Sequence, residues 1–276
     1  MQEQKYKVSV IIPNYNYAGY LKKRIKVIEK QTYPIYELIV LDDCSTDKSR
    51  AVIEKMAKKY PIKMIFNEEN SGCVFKQWQK GIEAATGDYI WIAEADDQAD
   101  KKFLENMVKK FEDPEVVLAF SDSKQINERG RVIRKTCSDL ADEHQDGRYR
   151  SDYVNDGIDE ITNYLIVKNY IYNASGVVFK NGDYHDILEE CTKFHLAGDW
   201  YFYIQVLKRG KVAYVAKPLN YHRIHTNSVT KTTKKQNHYD EVVRIQEEIK
   251  KEYPVSDQVL KEVEDQRQKL KQVLGL

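Results

Sequence analysis

The 276-residue sequence has no apolar run approaching the roughly 18 to 20 residues that cross a bilayer, and Met1 to Lys5 carry no apolar leader core. Neither a transmembrane segment nor a secretory signal is expected, and the chain reads as cytoplasmic. Net charge is nearly absent: 44 Lys and Arg stand against 43 Asp and Glu, a formal +1 at pH 7. No overall field draws in nucleic acid, so an anionic partner must be met locally. Cysteine is scarce, and Cys44, Cys73, Cys137 and Cys191 form no C-x-x-C pair and no metal-finger spacing. Reduced thiols without a catalytic or metal role fit that pattern in a cytosolic compartment. Internal repeats and low-complexity tracts are missing too. Phenylalanine is outnumbered by tyrosine, 8 to 20, a balance that suits amphipathic pockets such as sugar-binding clefts.

Charged residues make up 32% of the chain and the mean hydropathy is −0.66, values of a water-soluble protein. The length allows one large α/β domain or two modest ones. The most informative stretch is Asp88 to Asp97 (D-Y-I-W-I-A-E-A-D-D), an apolar run of strand length that stops on Glu94, Asp96 and Asp97. Strands buried on both faces read this way, and open α/β sheets bind ligands beyond the carboxyl ends of their strands. Three acids this close repel unless a proton or cation intervenes, and hard oxygen ligands suit Mg2+ or Mn2+.

The first hundred residues alternate strand and helix. Val8 to Ile12, Glu37 to Leu41 and Ile62 to Phe66 are strands, with helices marked by Leu21, Ile25 and Ile28, then Val52, Ile53 and Met56, then Val74, Trp78 and Ile82. Ser45 or Thr46 is the expected cap of the second helix. This order predicts a parallel, right-handed, doubly wound sheet. Beyond Phe111 the rhythm changes. Val116 to Gln125 and Arg131 to Arg134 read as strands joined by a turn, and residues 137 to 157 as a mobile loop over the site. A helix over Ile158 to Tyr170, a strand over Gly176 to Phe179 and a helix over Asp199 to Arg209 follow. Two strands are then expected, Lys211 to Ala216 and Leu219 to Ile224, before amphipathic helices from Tyr239 onward that pack on the core or on another subunit.

Three further strand ends carry polar groups. Pro13, Asn14, Tyr15 and Asn16 combine a fixed exit, an aromatic for stacking on a base and amides with paired donors and acceptors, although a turn and an N-cap would use the same residues. Asp42 and Asp43 open L-D-D-C-S-T-D; two adjacent carboxylates exceed the needs of one cap and could bind a base imide or ribose, whereas Asp47 equally serves its own helix terminus. Asn70 and Gly72 sit where a glycine permits close backbone approach by a ribose or diphosphate, or simply turn the chain into a helix.

Together, in this order, V-S-V-I-I-P-N-Y-N, L-D-D-C-S-T-D, N-S-G and G-D-Y-I-W-I-A-E-A-D-D resemble glycosyltransferase family 2, inverting enzymes of the GT-A fold, over about residues 6 to 125. The resemblance implies a Rossmann-like, mostly parallel sheet flanked by helices, with the C-terminal amphipathic helices added. It implies that Pro13 to Tyr15 and Asp43 hold the nucleobase, usually uracil, and that Asp96 and Asp97 match the acids that bind ribose and a divalent metal. The usual D-A-D-D appears here as E-A-D-D, so the metal ligands among Glu94, Asp96 and Asp97 stay open. Asp199, opening a helix at A-G-D-W, matches the later acidic motif and is the expected base, with Gly198 in place of the common first acid. In Y-H-R-I-H-T-N-S-V-T, His225 is the expected basic residue over the diphosphate and a metal ligand. Arg223 shares its strand face, while His222, Ser228 and Trp200 are candidates for contacts to diphosphate or acceptor.

The expected activity is transfer of a sugar from a nucleoside-diphosphate sugar, UDP-linked, to a hydroxyl of a glycan, a lipid-linked or a protein-linked acceptor. A lipid-linked acceptor would bring the chain to a membrane surface. The absence of Q-x-x-R-W favours single additions. Residues 1–125 form the nucleotide-sugar half, 126–236 the acceptor and catalytic half of the same domain, and 237–276 a helical extension through which a homodimer could form. The rivals are an inactive nucleotide-sugar-binding module and a sugar nucleotidyltransferase, although the latter's Gly-rich basic loop is absent after the first strand.

Overall fold

The computed structural model describes residues 5–142, 147–225 and 235–276. Ten strands among them form one sheet in the order β3-β2-β1-β4-β9-β6-β10-β5, with β7 beside β6 and β8 beside β10. The strands are β1 (Val8–Asn14), β2 (Glu37–Asp42), β3 (Ile62–Phe66), β4 (Tyr89–Ile92), β5 (Gln98–Ala99), β6 (Val116–Ile126), β7 (Val132–Arg134), β8 (Tyr153–Asn155), β9 (Val177–Lys180) and β10 (Lys211–Arg223).

The first four large strands are parallel, as the alternation with α1 (Ala18–Ile28), α2 (Ser49–Ala57) and α3 (Val74–Ala84) demands. Their apolar runs are buried because helices cover both faces: Ile11, Ile39, Ile90 and Ile92 face one core, and Val10, Val40 and Trp91 face the other. Each fully buried Ile or Leu side chain contributes about 1.5–3 kcal/mol.

The second half departs from a parallel sheet. Strand β9 inserts antiparallel between β4 and β6, while β6 and β10 run parallel to each other. The sheet is therefore mixed. The two strands expected over 211–224 are one, β10, whose register shifts around Pro218, a residue without an N–H for the ladder. The helix expected over 158–170 is only α6 (Gly157–Glu160) continued by a π-helical turn over Ile161–Leu165.

Within 137–157 the described residues form α5 (Ser138–Asp142), a 3-10 turn at Arg148–Arg150 and β8, and Cys137 and Tyr149 are each 2% exposed. The expected loop is thus built into the fold there. Arg148 pairs with Glu160 and lies over the rings of Tyr153 and Tyr164, which burial alone would not favour for a cation.

Helices α4 (Phe103–Val108), α7 (His185–Cys191) and α8 (Gly198–Leu207) complete the core, and α9 (Lys235–Glu252) and α10 (Asp257–Leu274) pack upon it. Val242, Ile245, Ile249, Val259 and Val263 are buried within the chain, so these parts of the two helices pack on the core, while Val273 near the end of α10 is 80% exposed. No helix among the described residues is long and apolar enough to cross a membrane.

Candidate active site

The carboxyl ends of β1, β2 and β4 open side by side, and the loops there hold most of the candidate residues. At the end of β1, Asn14 donates Nδ2 to Oδ1 of Asp42 at 2.7 Å and to Oγ of Ser45 at 3.2 Å. Asn16, at φ 59°, accepts through Oδ1 from the backbone N–H of Thr46 at 2.8 Å and of Asp47 at 3.2 Å. Asp47 then accepts from Ala18 N through Oδ2 and from Ser49 N through Oδ1, at 3.0 and 2.8 Å, holding the starts of α1 and α2 at once. Ser45 does not cap α2; its hydroxyl goes to Asp42. Tyr15, 45% exposed, presents an open ring beside this lattice, and Pro13 pairs with Leu41 in the sheet.

Asp43 is buried. Its Oδ1 accepts from Asn67 Nδ2, Ser71 N and Gln77 Nε2 at 2.6, 2.9 and 2.9 Å, and its Oδ2 from Ser71 Oγ at 2.8 Å. Oδ2 thus has one protein donor and lone-pair capacity left. Asn70 Nδ2 donates to the Asp43 carbonyl at 3.0 Å, and its Oδ1 accepts from Gly72 N at 2.7 Å, closing a turn that needs Gly72 at φ 64°. Asn67 and Gln77, absent from the sequence reading, belong to this lattice. Asn67 follows the end of β3, where the strand-end rule could have found it; Gln77 lies inside a helix with no local signal.

Beyond β4, Glu94 is half-buried. Its backbone N–H goes to Ser175 Oγ at 3.0 Å and its Oε1 accepts from Trp78 Nε1 at 3.2 Å. Burial, then the charges of Asp96 and Asp97, push its carboxyl up to about 8. Asp96 is raised by burial and by Asp97, against a 2.8 Å contact between its Oδ2 and Nε2 of His225. Asp97 accepts the Arg223 N–H at 2.7 Å, locking the end of β10 onto the acid loop. His225 is 7% exposed and packs edge-on to Tyr17, 5.8 Å between centroids. The Tyr17 hydroxyl is raised by burial and then by Asp96, Glu94 and Asp97.

Arg223, expected on the same face as His225 toward the diphosphate, turns elsewhere. Its guanidinium donates to the carbonyls of Asp96, Asn127 and Glu128 and lies over the Tyr20 ring at 4.6 Å. Its placement fastens the loop instead. His222 pairs with Gln125 on β6 and is half-buried; Ser228 lies outside the described residues.

Asp199 stands in the first turn of α8, half-buried, with Oδ1 accepting from Trp200 N at 2.7 Å. Burial raises its carboxyl from 3.8 to about 6. Tyr203, one turn on, has a buried hydroxyl without a partner among the described residues, raised by burial and then by Asp199 and Glu94. Trp200 is 3% exposed and its Nε1 is also unpaired, so it belongs mainly to the core. A Cβ at Gly198 would meet the Phe75 ring at 2.5 Å, so a side chain there would require that ring to move. Glu241 on α9 accepts from the N–H groups of His195, Leu196 and Ala197 at 2.7, 2.9 and 3.0 Å, setting the loop that leads to Asp199. Nothing near Glu241 in sequence announces that role.

The donor set of hard oxygens and one imidazole suits Mg2+ or Mn2+. Among the described residues, however, the only three-ligand group within 4.8 Å is the exposed His185, Asp186 and Glu189. At the acid loop, Glu94, Asp96, Asp97 and His225 do not bring three ligand atoms within that distance of one another.

The chain is 40% identical over 145 residues to an uncharacterized glycosyltransferase of Nostoc, covering 49% of this chain and 44% of that protein. It is 30% identical over 126 residues to the poly(ribitol-phosphate) beta-N-acetylglucosaminyltransferase TarS of Staphylococcus aureus, 45% of this chain and 22% of that one. The matched stretch thus spans less than half of either relative. The fold is similar to TarS residues 1–349 in complex with UDP-GlcNAc, with a TM-score of 0.70 at 20% identity over 94% of this chain and 72% of that one. It is also similar to the Pyrobaculum calidifontis mannosyltransferase PcManGT in complex with GDP-Man and Mn2+, with a TM-score of 0.64 at 16% identity over 97% and 71%. The sheet is that of GT-A glycosyltransferases, and the model of glycosyl transferase family 2 matches residues 9–165, more than half of the chain, so the chain belongs to that family.

Proposed function

We propose that this chain is a metal-dependent, inverting glycosyltransferase that moves a sugar from a UDP-sugar to a hydroxyl acceptor on a glycan, a lipid-linked or a protein-linked oligosaccharide. The observation that carries the reading is the meeting of Asp96 and His225 at 2.8 Å beside Asp97 and Glu94, with Asp43 at the end of β2, one strand beyond β1 on the same edge of the sheet. Two relatives of known fold are named with UDP-GlcNAc and with GDP-Man and Mn2+.

Tyr15 offers its face to the base, while Asp43, through Oδ2, and Asn14 offer acceptors to an imide or ribose. Asp96 and His225, with Asp97 or Glu94 nearby, would hold Mn2+ or Mg2+, which when bound supplies positive charge to the departing diphosphate. Asp199 takes the proton of the acceptor hydroxyl. The acceptor oxygen bonds to the anomeric carbon as the bond to the diphosphate oxygen breaks on the opposite face, and configuration inverts. A carboxyl raised to about 6 is ionised at neutral pH yet more basic than an ordinary aspartate, which suits that step. Tyr203, without a hydrogen-bond partner among the described residues, lies within the field of both Asp199 and Glu94.

The test is UDP release from a panel of UDP-sugars with Mn2+, with and without candidate acceptors. Steady release that vanishes in Asp96→Ala supports catalysis. UDP-sugar binding with no turnover under any acceptor would leave a binding module instead, and release of pyrophosphate from a nucleoside triphosphate would favour a nucleotidyltransferase.

A further inference from the structure

Arg24 on α1 is fully buried, and none of its three guanidinium nitrogens has a hydrogen-bond partner among the described residues. It is buried on α1 beside Leu21 and Ile25 in sequence register, and its guanidinium lies over the indole of Trp91 at 5.2 Å, which itself packs on Phe103 at 4.6 Å. An unpaired buried cation is costly, and stacking on one indole returns only part of that cost. Something else must favour a charge here. Trp91 connects the site to the acids: its Nε1 donates to the Ser175 carbonyl at 2.8 Å, and the Ser175 hydroxyl accepts from Glu94 N at 3.0 Å. Helix α1 also packs on β5, which begins one residue after Asp97.

We propose that Arg24 is the resident counter-cation of Glu94, Asp96 and Asp97, a positioning residue that lets three acids sit on one loop before any metal arrives and weakens the hold of that metal. The inference rests on the metal-binding reading above and adds to it a cation carried by the fold. Burial lowers Arg24 to about 10, still well above neutral, and the acids that oppose this are Asp97 first, then Asp96 and Glu94. The charge is therefore present at physiological pH. Coulomb attraction needs no hydrogen bond and persists across a dry core, where screening is weak.

The geometry also says why arginine suits the place. A guanidinium is weakly hydrated, planar and always charged, and can lie flat on an indole where an ammonium would demand water. A divalent ion held by the same acids would feel repulsion from Arg24, which favours release with the diphosphate product.

The experiment uses the full chain. In EDTA, thermal unfolding is followed for wild type, Arg24→Met, Asp97→Asn and the double variant. Asp97→Asn is expected to lower the midpoint in wild type and to raise it, or leave it unchanged, in Arg24→Met; equal shifts in both backgrounds would overturn the proposal. Arg24→Gln, which keeps a stem and a flat amide against Trp91, serves in the same cycle if Arg24→Met does not fold. Mn2+ binding by calorimetry is expected to tighten about tenfold in Arg24→Met, from the removed repulsion, and to stay within about twofold in Arg24→Lys. Unchanged Mn2+ affinity in Arg24→Met would count against the proposal. Failure of wild type to bind Mn2+ would instead remove the metal reading, while the EDTA cycle would still decide the role of Arg24.

Discussion

Nε2 of His225 lies 2.8 Å from Oδ2 of Asp96, 129 residues away in sequence, and adds a side-chain contact to the two that Arg223 makes between the acid loop after β4 and the end of β10. His225→Ala is expected to weaken Mn2+ binding about 10- to 100-fold, because a ligand or its orienting partner is lost. His225→Gln, which keeps a donor for Asp96, should recover part of it. Titration of Mn2+ against both variants decides the matter, and wild-type affinity in His225→Ala would remove the residue from the site.

Glu241 predicts a second outcome. Three N–H groups share its carboxylate, so Glu241→Ala strips all three of their acceptor and leaves that of the buried Ala197 unsatisfied, at a cost of about 1–3 kcal/mol. Since that loop leads into Asp199, kcat should fall while UDP affinity holds. Denaturant unfolding and UDP titration read the two effects separately.

Asp199 carries a pH dependence. Its carboxyl is raised from 3.8 to about 6 by burial, so the native state binds more protons than the unfolded chain between those values. The contribution of this group to stability is therefore favourable at the acid end and is lost as pH rises through about 6. Above that, the buried carboxylate costs on the order of 1–3 kcal/mol. Asp199→Asn should abolish transfer and raise the unfolding midpoint by a few degrees at pH 7.5, with no gain at pH 4. Wild-type transfer should show an ascending limb near pH 6.

Cys44 sits at φ 57°, where a side chain crowds its own backbone. Cys44→Gly should stabilise by about 0.5–1 kcal/mol, less whatever the Sγ contact to the Glu68 carbonyl at 3.2 Å contributes. A drop in the thermal midpoint would mean that the contact outweighs the strain.

Gly198→Ala should destabilise by about 1–3 kcal/mol through the Phe75 ring. Phe75→Leu in the same chain is expected to restore much of the loss, as chemical denaturation of the pair can measure.

Much of the first half was legible because parallel strands announce themselves as apolar runs and their carboxyl ends as polar knots. Val8 to Asn14, Glu37 to Asp42 and Tyr89 to Ile92 lie where the periodicity puts them, and Asp43, Asp96 and Asp97 fall at strand ends as expected. The second half hid its order. Whether β9 runs parallel or antiparallel is decided by partners far along the chain, and Val177 to Lys180 is too short to say. The placement of Arg223 was equally unreadable, since strand alternation assigns a face but not the carbonyls of Asn127 and Glu128 that wait there. Arg24 carries no local signal, since it stands among Lys22, Lys23 and Lys26 on an amphipathic helix and the ring it lies over, Trp91, is 67 positions on in the sequence.

Asp47 reaches two helices with its two oxygens, and Asn16 reaches back to Asp47. The walls after β1 and β2 are thereby riveted into a single block. Two loops pinned together in this way have little freedom left to lose to a ligand, so on the nucleotide-sugar reading proposed above, preference among bases would come from fit rather than from closure.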